Sequence, residues 1–146
     1  MIVSATPQRV YRALTKRVKK WLAPTSNEIE SVGDILTLYF DPTYWTLRVN
    51  KLIPNRLVEL QCIEANHIRP GLPASIREEW LGTKLTWRIA PHPTGAKISF
   101  VHSGLIPSLD CYKICEAGWD FYFQISLRNY LEGGIGQPGI YELSIQ

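Results

Sequence analysis

The chain has 146 residues, 45% hydrophobic and 20% charged, with a formal net charge of +3. That balance excludes a disordered chain, and the length suits one hydrophobic core, so a single domain spanning residues 1–146 is expected. Five Trp, seven Tyr and four Phe predict an aromatic-rich interior.

Thr6-Pro7 reads as an N-cap followed by proline at the first helical position. Val10, Leu14, Val18 and Trp21 then recur at helical spacing, which predicts a first helix over residues 7–22, preceded by a short strand within residues 1–5. After the break at 24–27 the period changes to two. Residues 35–40 are apolar and β-prone. Over 44–53, Trp45, Leu47, Val49 and Ile53 alternate with Tyr44, Thr46, Arg48 and Asn50, a strand with one buried face. Pro54-Asn55 is a turn, and Val58, Leu60 and Cys62 alternate with Glu59 and Gln61. Residues 66–75, with Pro70-Gly71 and Pro73, read as a loop. Strands are predicted over 76–89 and 96–105, joined by a turn at 91–95.

The last large element, residues 110–132, contains no proline and stops at Gly133-Gly134, a C-cap signature. Asp110, Lys113, Glu116, Asp120, Gln124, Arg128 and Glu132 form one polar stripe on it, and the rest of its surface is largely apolar. At 1.5 Å per residue the helix is about 35 Å long, enough to cross a sheet that curves around it. The fold class is therefore α+β, a curved antiparallel sheet wrapped around a long C-terminal helix.

No apolar run approaches the ~20 residues of a membrane-spanning helix. Residues 1–7 lack the basic region and apolar run of a secretory leader, and Cys62, Cys111 and Cys115 are an odd set without framework spacing. A reducing, cytoplasmic location is the expectation.

Several pieces of this chain carry a resemblance. They are Thr6-Pro7-Gln8-Arg9-Val10-Tyr11-Arg12-Ala13-Leu14, Glu79-Trp80-Leu81-Gly82-Thr83 and Phe100-Val101-His102-Ser103-Gly104-Leu105. Gly118-Trp119 and Leu127-Arg128-Asn129-Tyr130-Leu131-Glu132-Gly133-Gly134 complete the set. In this order they resemble the START-like or SRPBCC superfamily, in its branch of activator-of-heat-shock-chaperone-ATPase homologues. The resemblance implies the helix-grip fold and a pocket between sheet and last helix that in relatives holds lipids, polyketides, sterols or plant hormones. Some relatives are polyketide cyclases, and the eponymous branch regulates a chaperone ATPase. Fold membership leaves these functions open. The chain departs from the pattern in its bare N-terminus, its Pro-rich loop at 70–73 and an alternating tail at 140–146, which could add an edge strand or make a homodimer.

Six of the sixteen cations, Arg9, Arg12, Lys16, Arg17, Lys19 and Lys20, fall within twelve residues that contain no acid. Such a helix could meet an acidic partner protein, an anionic membrane or nucleic acid. It lacks the aromatic interleaving of a single-strand binder, and charge runs of this kind are usually solvated faces.

His102 shares a strand face with Ile98 and Phe100 and points inward, either as a satisfied core histidine or as a polar anchor or general acid/base. Arg77 and Glu79 alternate onto the face of Leu81, Leu85 and Trp87, provided that no bulge flips them; His102 and Glu79 would be the catalytic pair of a cyclase-type enzyme. Cys111 and Cys115 lie one helical turn apart, but His67 and His92 sit in loops with no compatible spacing, so buried apolar filling is the expected role and no metal site is assigned. No cofactor is assigned either, because Gly133-Gly134-Ile135-Gly136 follows a helix instead of opening one.

The aromatic set is the main functional candidate. Tyr112, Trp119 and Tyr122 would form one wall of a ligand site, Trp45, Trp87 and Phe100 the other, and His102 the polar contact. A dry cavity of ~300 Å³ would cost about 7 kcal/mol, comparable with a whole domain's stability, so a cavity of that size is hydrated, occupied or absent. The sequence thus predicts a non-catalytic binder of an apolar small molecule, with an enzyme and a partner-binding module as alternatives.

Overall fold

The computed structural model describes residues 1–139. The elements, in chain order, are β1 (Ile2–Val3), α1 (Pro7–Thr15), β2 (Ile35–Phe40), β3 (Thr43–Ile53), β4 (Leu57–Asn66), β5 (Lys84–His92) and β6 (Gly95–Ser103). The C-terminal helix then runs as α2 (Tyr112–Phe121), a π-helical stretch Tyr122–Leu127 and α3 (Arg128–Gly133). The six strands form one antiparallel sheet in the order β1-β6-β5-β4-β3-β2. The architecture is the α+β one expected, a six-stranded antiparallel sheet curved around a long C-terminal helix as in helix-grip folds.

Thr6 caps α1 by accepting from the Arg9 backbone N–H at 3.1 Å. The helix ends at Thr15, earlier than the expected Leu22, and a 3₁₀ turn at Val18–Lys20 follows. The apolar period survives this change: Val10, Leu14, Val18 and Trp21 are all buried, and the Trp21 indole donates to the Ala13 carbonyl at 2.9 Å.

The predicted face of β3 holds through Trp45, Leu47 and Val49 and then inverts. A register shift between Val49 and Lys51 leaves Asn50 as an extra residue, so Ile53 is 52% exposed instead of buried. Glu59, expected to face solvent, is buried and accepts from the Thr86 hydroxyl at 3.3 Å.

The largest correction concerns residues 76–83. They are not strand: Ala74–Glu78 is a 3₁₀ turn, and β5 begins only at Lys84. Arg77 and Glu79 therefore do not share a strand face with Leu85 and Trp87, and Leu81 is exposed. Trp80, in this irregular segment, turns into the core.

The C-terminal helix buries Cys115, Gly118, Trp119, Tyr122, Phe123, Ser126, Leu127 and Leu131, a helical stripe, and six of the seven expected stripe residues are exposed, Arg128 being half-buried. It starts at Tyr112 instead of Asp110 and stops at Gly134, whose φ of 81° and N–H bond to Tyr130 O at 2.9 Å make it the expected C-cap. Gly136 has a second reason to be glycine. A Cβ there would sit 2.3 Å from the Lys20 carbonyl oxygen. Ser126, fully buried, donates to Trp21 O at 2.6 Å and accepts from Gln137 N at 2.8 Å, so the same junction is pinned from the helix side. Among the described residues no helix is long and apolar enough to cross a membrane. The tail at 140–146, with its expected edge strand or dimer contact, lies outside the described residues.

Candidate functional site

All five tryptophans are buried, and four of them meet between the sheet and the C-terminal helix. β3 contributes Trp45, β5 Trp87, β6 Phe100, α2 Trp119 and the π-helical stretch Tyr122. Phe100 packs 4.5 Å from Trp119 and 4.8 Å from Trp87, and Trp21 meets Trp87 edge-on at 6.3 Å. Phe40 lies against both Trp45 and Tyr122, at 5.5 and 5.7 Å.

Trp80 stands in the middle of this cluster. Its ring stacks on Trp45 at 4.0 Å and lies nearly parallel to Trp119 at 6.0 Å. Sequence reasoning missed it as an interior residue because the segment was read as a strand, in which Trp80 alternates away from the core. Consequently the cavity at the seam, lined by Phe40, Trp45, His67, Trp80, Trp119 and Tyr122 among others, measures about 30 Å³. That volume holds one or two waters, not the ~300 Å³ ligand space considered from the sequence. Trp45 lines this cavity, and its buried indole N–H has no hydrogen-bond partner among the described residues, and neither has that of Trp87.

Tyr112 is not part of the cluster. It faces the opposite side of α2, against the loop at 69–72 and the segment 107–110, with its hydroxyl paired to Glu116. Hydrogen bonding to that carboxylate raises its pKa, with burial a smaller contribution.

His102 makes bonds through both ring nitrogens. The Trp119 indole donates to Nδ1 at 3.0 Å, which places the proton on Nε2, and Nε2 donates to the Thr83 hydroxyl at 2.9 Å. Thr83 in turn donates to the Trp80 carbonyl at 2.6 Å. Burial lowers the His102 pKa to about 4, so the ring is neutral at physiological pH.

Glu79 lies elsewhere. Its carboxylate accepts from the backbone N–H groups of Asp110 and Cys111, both at 2.9 Å, at the positive end of the C-terminal helix. Its hydrogen bonds and those of His102 go to different partners, and neither residue lines the seam cavity.

Cys111 and Cys115 are buried as expected, but His67, whose spacing in the chain looked incompatible with them, lies beside them in the fold. His67, immediately after β4, has its N–H bonded to the Arg77 carbonyl at 3.0 Å and its ring 5.0 Å from Trp45, which brings it under the start of α2. One ligand atom each from His67, Cys111 and Cys115 lie within 4.8 Å of one another, and all three residues are buried. Their separation in the chain hid this, because no short motif links residue 67 to residue 111. The Trp80 indole donates to Cys115 Sγ at 3.3 Å. The neighbouring Cys115 thiol, with burial adding to it, pushes the Cys111 thiol up. Cys62 is separate: it donates to the Glu64 carbonyl, and burial pushes it up to about 11.

The basic surface of the first helix is partly neutralised by the loop that follows. Lys16 pairs with Glu30 at 2.7 Å and Arg17 with Glu28 at 3.3 Å, whereas Arg9, Arg12, Lys19 and Lys20 are exposed.

No protein-family profile and no curated protein matches this chain significantly. Solved structures do. The Aha1 dimer from Colwellia psychrerythraea is 28% identical with a TM-score of 0.69, over 92% of this chain and 93% of that one. Protein MLL2253 from Mesorhizobium loti is 23% identical with a TM-score of 0.69, over 85% and 88% of the two chains. Protein CV1439 from Chromobacterium violaceum is 20% identical with a TM-score of 0.68, over 90% and 94%. The chain therefore has a curved-sheet, long-helix fold related to the Aha1/SRPBCC structural superfamily.

Proposed function

We propose that the protein is a non-catalytic binding domain for a small, planar, apolar molecule of polyketide- or lipid-like chemistry, taken up in the aromatic seam between the sheet and the C-terminal helix. The observation that carries this reading is Trp45, which lines a mostly apolar, aromatic cavity and whose indole N–H is buried without a partner among the described residues. An unpaired buried donor costs about 1–3 kcal/mol, and a ligand acceptor placed there recovers it. Space for such a ligand comes from Trp80. Its ring occupies a slot between two near-parallel indoles, a geometry that a flat ring of similar size reproduces, and it hangs from an irregular segment, not from a strand. Support for a role without chemistry comes from His102 and Glu79, whose polar atoms are engaged by Thr83 and Trp119 and by the helix N-terminus.

The test is a thermal-shift and tryptophan-fluorescence screen of the wild-type chain against planar aromatics, flavonoid-like and polyketide-like compounds and fatty acids. A ligand at 100 times its dissociation constant adds about 2.7 kcal/mol, which is roughly 5–10 °C for a chain of this size. Trp119→Ala should abolish the shift, and Trp45→Phe, which removes the N–H and keeps an aromatic ring, should weaken it. Absence of any shift or quenching in the wild type refutes the reading.

The likeness to Aha1 favours a second reading, a partner-binding or chaperone-regulating module acting through the exposed Arg9, Arg12, Lys19 and Lys20, with homodimerisation as its other form. Arg12→Glu with Lys20→Glu should then abolish capture of an acidic partner, and light scattering should report a dimer if the chain pairs with itself. Unchanged capture would exclude the helix surface.

A further inference from the structure

We propose that His67, Cys111 and Cys115 form a binding site for one thiophilic closed-shell metal ion, Zn²⁺ or Cu⁺. The ligand atoms of the three residues converge within 4.8 Å of one another, and their type, two sulfurs and one imidazole nitrogen, is the set that soft and borderline cations select. In a tetrahedral zinc site with Zn–S bonds of about 2.3 Å, neighbouring sulfurs lie about 3.8 Å apart. The separations in the fold, none above 4.8 Å, are close to that spacing, with Cys111 and Cys115 one turn apart at the start of α2 and His67 the first residue after β4.

A second observation points independently to a ligand. His67 is 4% exposed, and its Nδ1 is buried with no hydrogen-bond partner among the described residues. The ring is paired instead with the Cys111 thiol, a thiol–imidazole contact that a shared metal ion would replace. One further feature suits a thiolate–metal centre. Trp80 Nε1–H points at Cys115 Sγ at 3.3 Å, the outer hydrogen bond that metal-bound thiolates commonly receive.

The coordination number separates the two cations. Zn²⁺ takes four ligands and here has three from protein. The seam cavity of about 30 Å³ touches both His67 and Cys115 and has room for a water as the fourth, which would leave an exchangeable position facing the aromatic cluster. Cu⁺ would need only the three protein ligands. The site ties the end of β4 to the start of α2, so a bound ion links sheet and helix whatever the seam itself holds. The inference does not depend on the small-ligand reading.

The test uses the full chain, reduced and freed of metal with a chelator, then titrated with Co²⁺, Zn²⁺ and Cu⁺ in separate experiments. Binding of one Co²⁺ per chain with tetrahedral ligand-field bands and a thiolate charge-transfer band, displaced by Zn²⁺, identifies a zinc site. One Cu⁺ per chain without a tetrahedral cobalt spectrum identifies a trigonal copper site. In either case the melting temperature rises on loading, His67→Ala and Cys111→Ser each weaken binding at least about tenfold, and Cys62→Ser leaves it unchanged. X-ray absorption on the loaded wild type, which needs no variant to fold, should give two sulfurs and one imidazole in the first shell. A first shell of oxygen and nitrogen only, or affinity for every cation unaltered by His67→Ala and Cys111→Ser, overturns the proposal.

Discussion

His102 accepts a hydrogen bond from Trp119 and donates one to Thr83, so a second ring proton would turn the Trp119 contact into two opposed donors. Its pKa falls from 6.5 to about 4 in the folded chain because burial disfavours the charged ring. Between those values the unfolded chain binds a proton that the folded chain does not. Stability therefore is complete above pH 6.5, declines as pH falls towards 4, and loses no more from this residue below that. The difference is worth at most about 3 kcal/mol. Denaturant midpoints at pH 7 and pH 4.5 should separate less in His102→Phe than in the wild type; equal separations would remove His102 as the cause. Glu79 acts by a different route, as a distant carboxylate accepting the backbone N–H groups of Asp110 and Cys111, just ahead of the first turn of the C-terminal helix. Glu79→Ala should cost about 1–2 kcal/mol in chemical denaturation, and Glu79→Gln less, because the amide oxygen still accepts. Neither residue's partners were readable from sequence, since Glu79 and Asp110 are joined only through the fold.

At the scale of elements, the period of the sequence located β2, β3 and the C-terminal helix, whose buried positions repeat regularly over many residues. It failed where an irregular segment imitates a strand. Arg77, Glu79 and Leu81 continue the alternation of Leu85 and Trp87, yet the 3₁₀ turn after Pro73 and the positive φ of 81° at Gly82 break it. Pro73 and Gly82 were the available signals. The cost of that misreading was Trp80, the residue that fills the seam. Trp80→Ala should lower stability by about 3–5 kcal/mol, and free indole should restore part of the melting temperature by refilling the slot between Trp45 and Trp119. Failure of indole to act would mean that the variant's core collapses, leaving no slot for any flat ring. A similar lesson holds at Gly136, which the sequence showed only as part of a helix stop. Its contact with the Lys20 carbonyl makes Gly136→Ala a steric insertion into backbone, expected to cost about 1–3 kcal/mol by the same denaturation measurement.

Across the whole molecule, the two walls of the seam are held at different ends by different parts of the chain. The start of the C-terminal helix is fixed by Glu79 and by Trp80 on Cys115. Its far end is fixed by the N-terminal strand: Arg128 donates to the Ile2 carbonyl at 3.0 Å, and Ser4 N–H donates to Glu132 at 2.9 Å. The same two-residue strand closes the sheet edge, with the Met1 amino group bonded to the Ile98 carbonyl at 2.9 Å and Val3 buried. Such long-range ties explain why the order of elements was legible and the site only partly so: periodicity is local, whereas His67 with Cys111, or Ile2 with Arg128, meet only after the sheet has curved. A grip anchored separately at its two ends should loosen separately. Removing residues 1–4 deletes the Val3 contact and both helix ties, at a cost of about 2–4 kcal/mol. Hydrogen exchange should then accelerate in β6 and in α3, while the amides at the start of α2 keep their protection. Uniform acceleration along the whole helix would show instead that it is held as one rigid unit, and that the seam around Trp119 cannot open at one end alone.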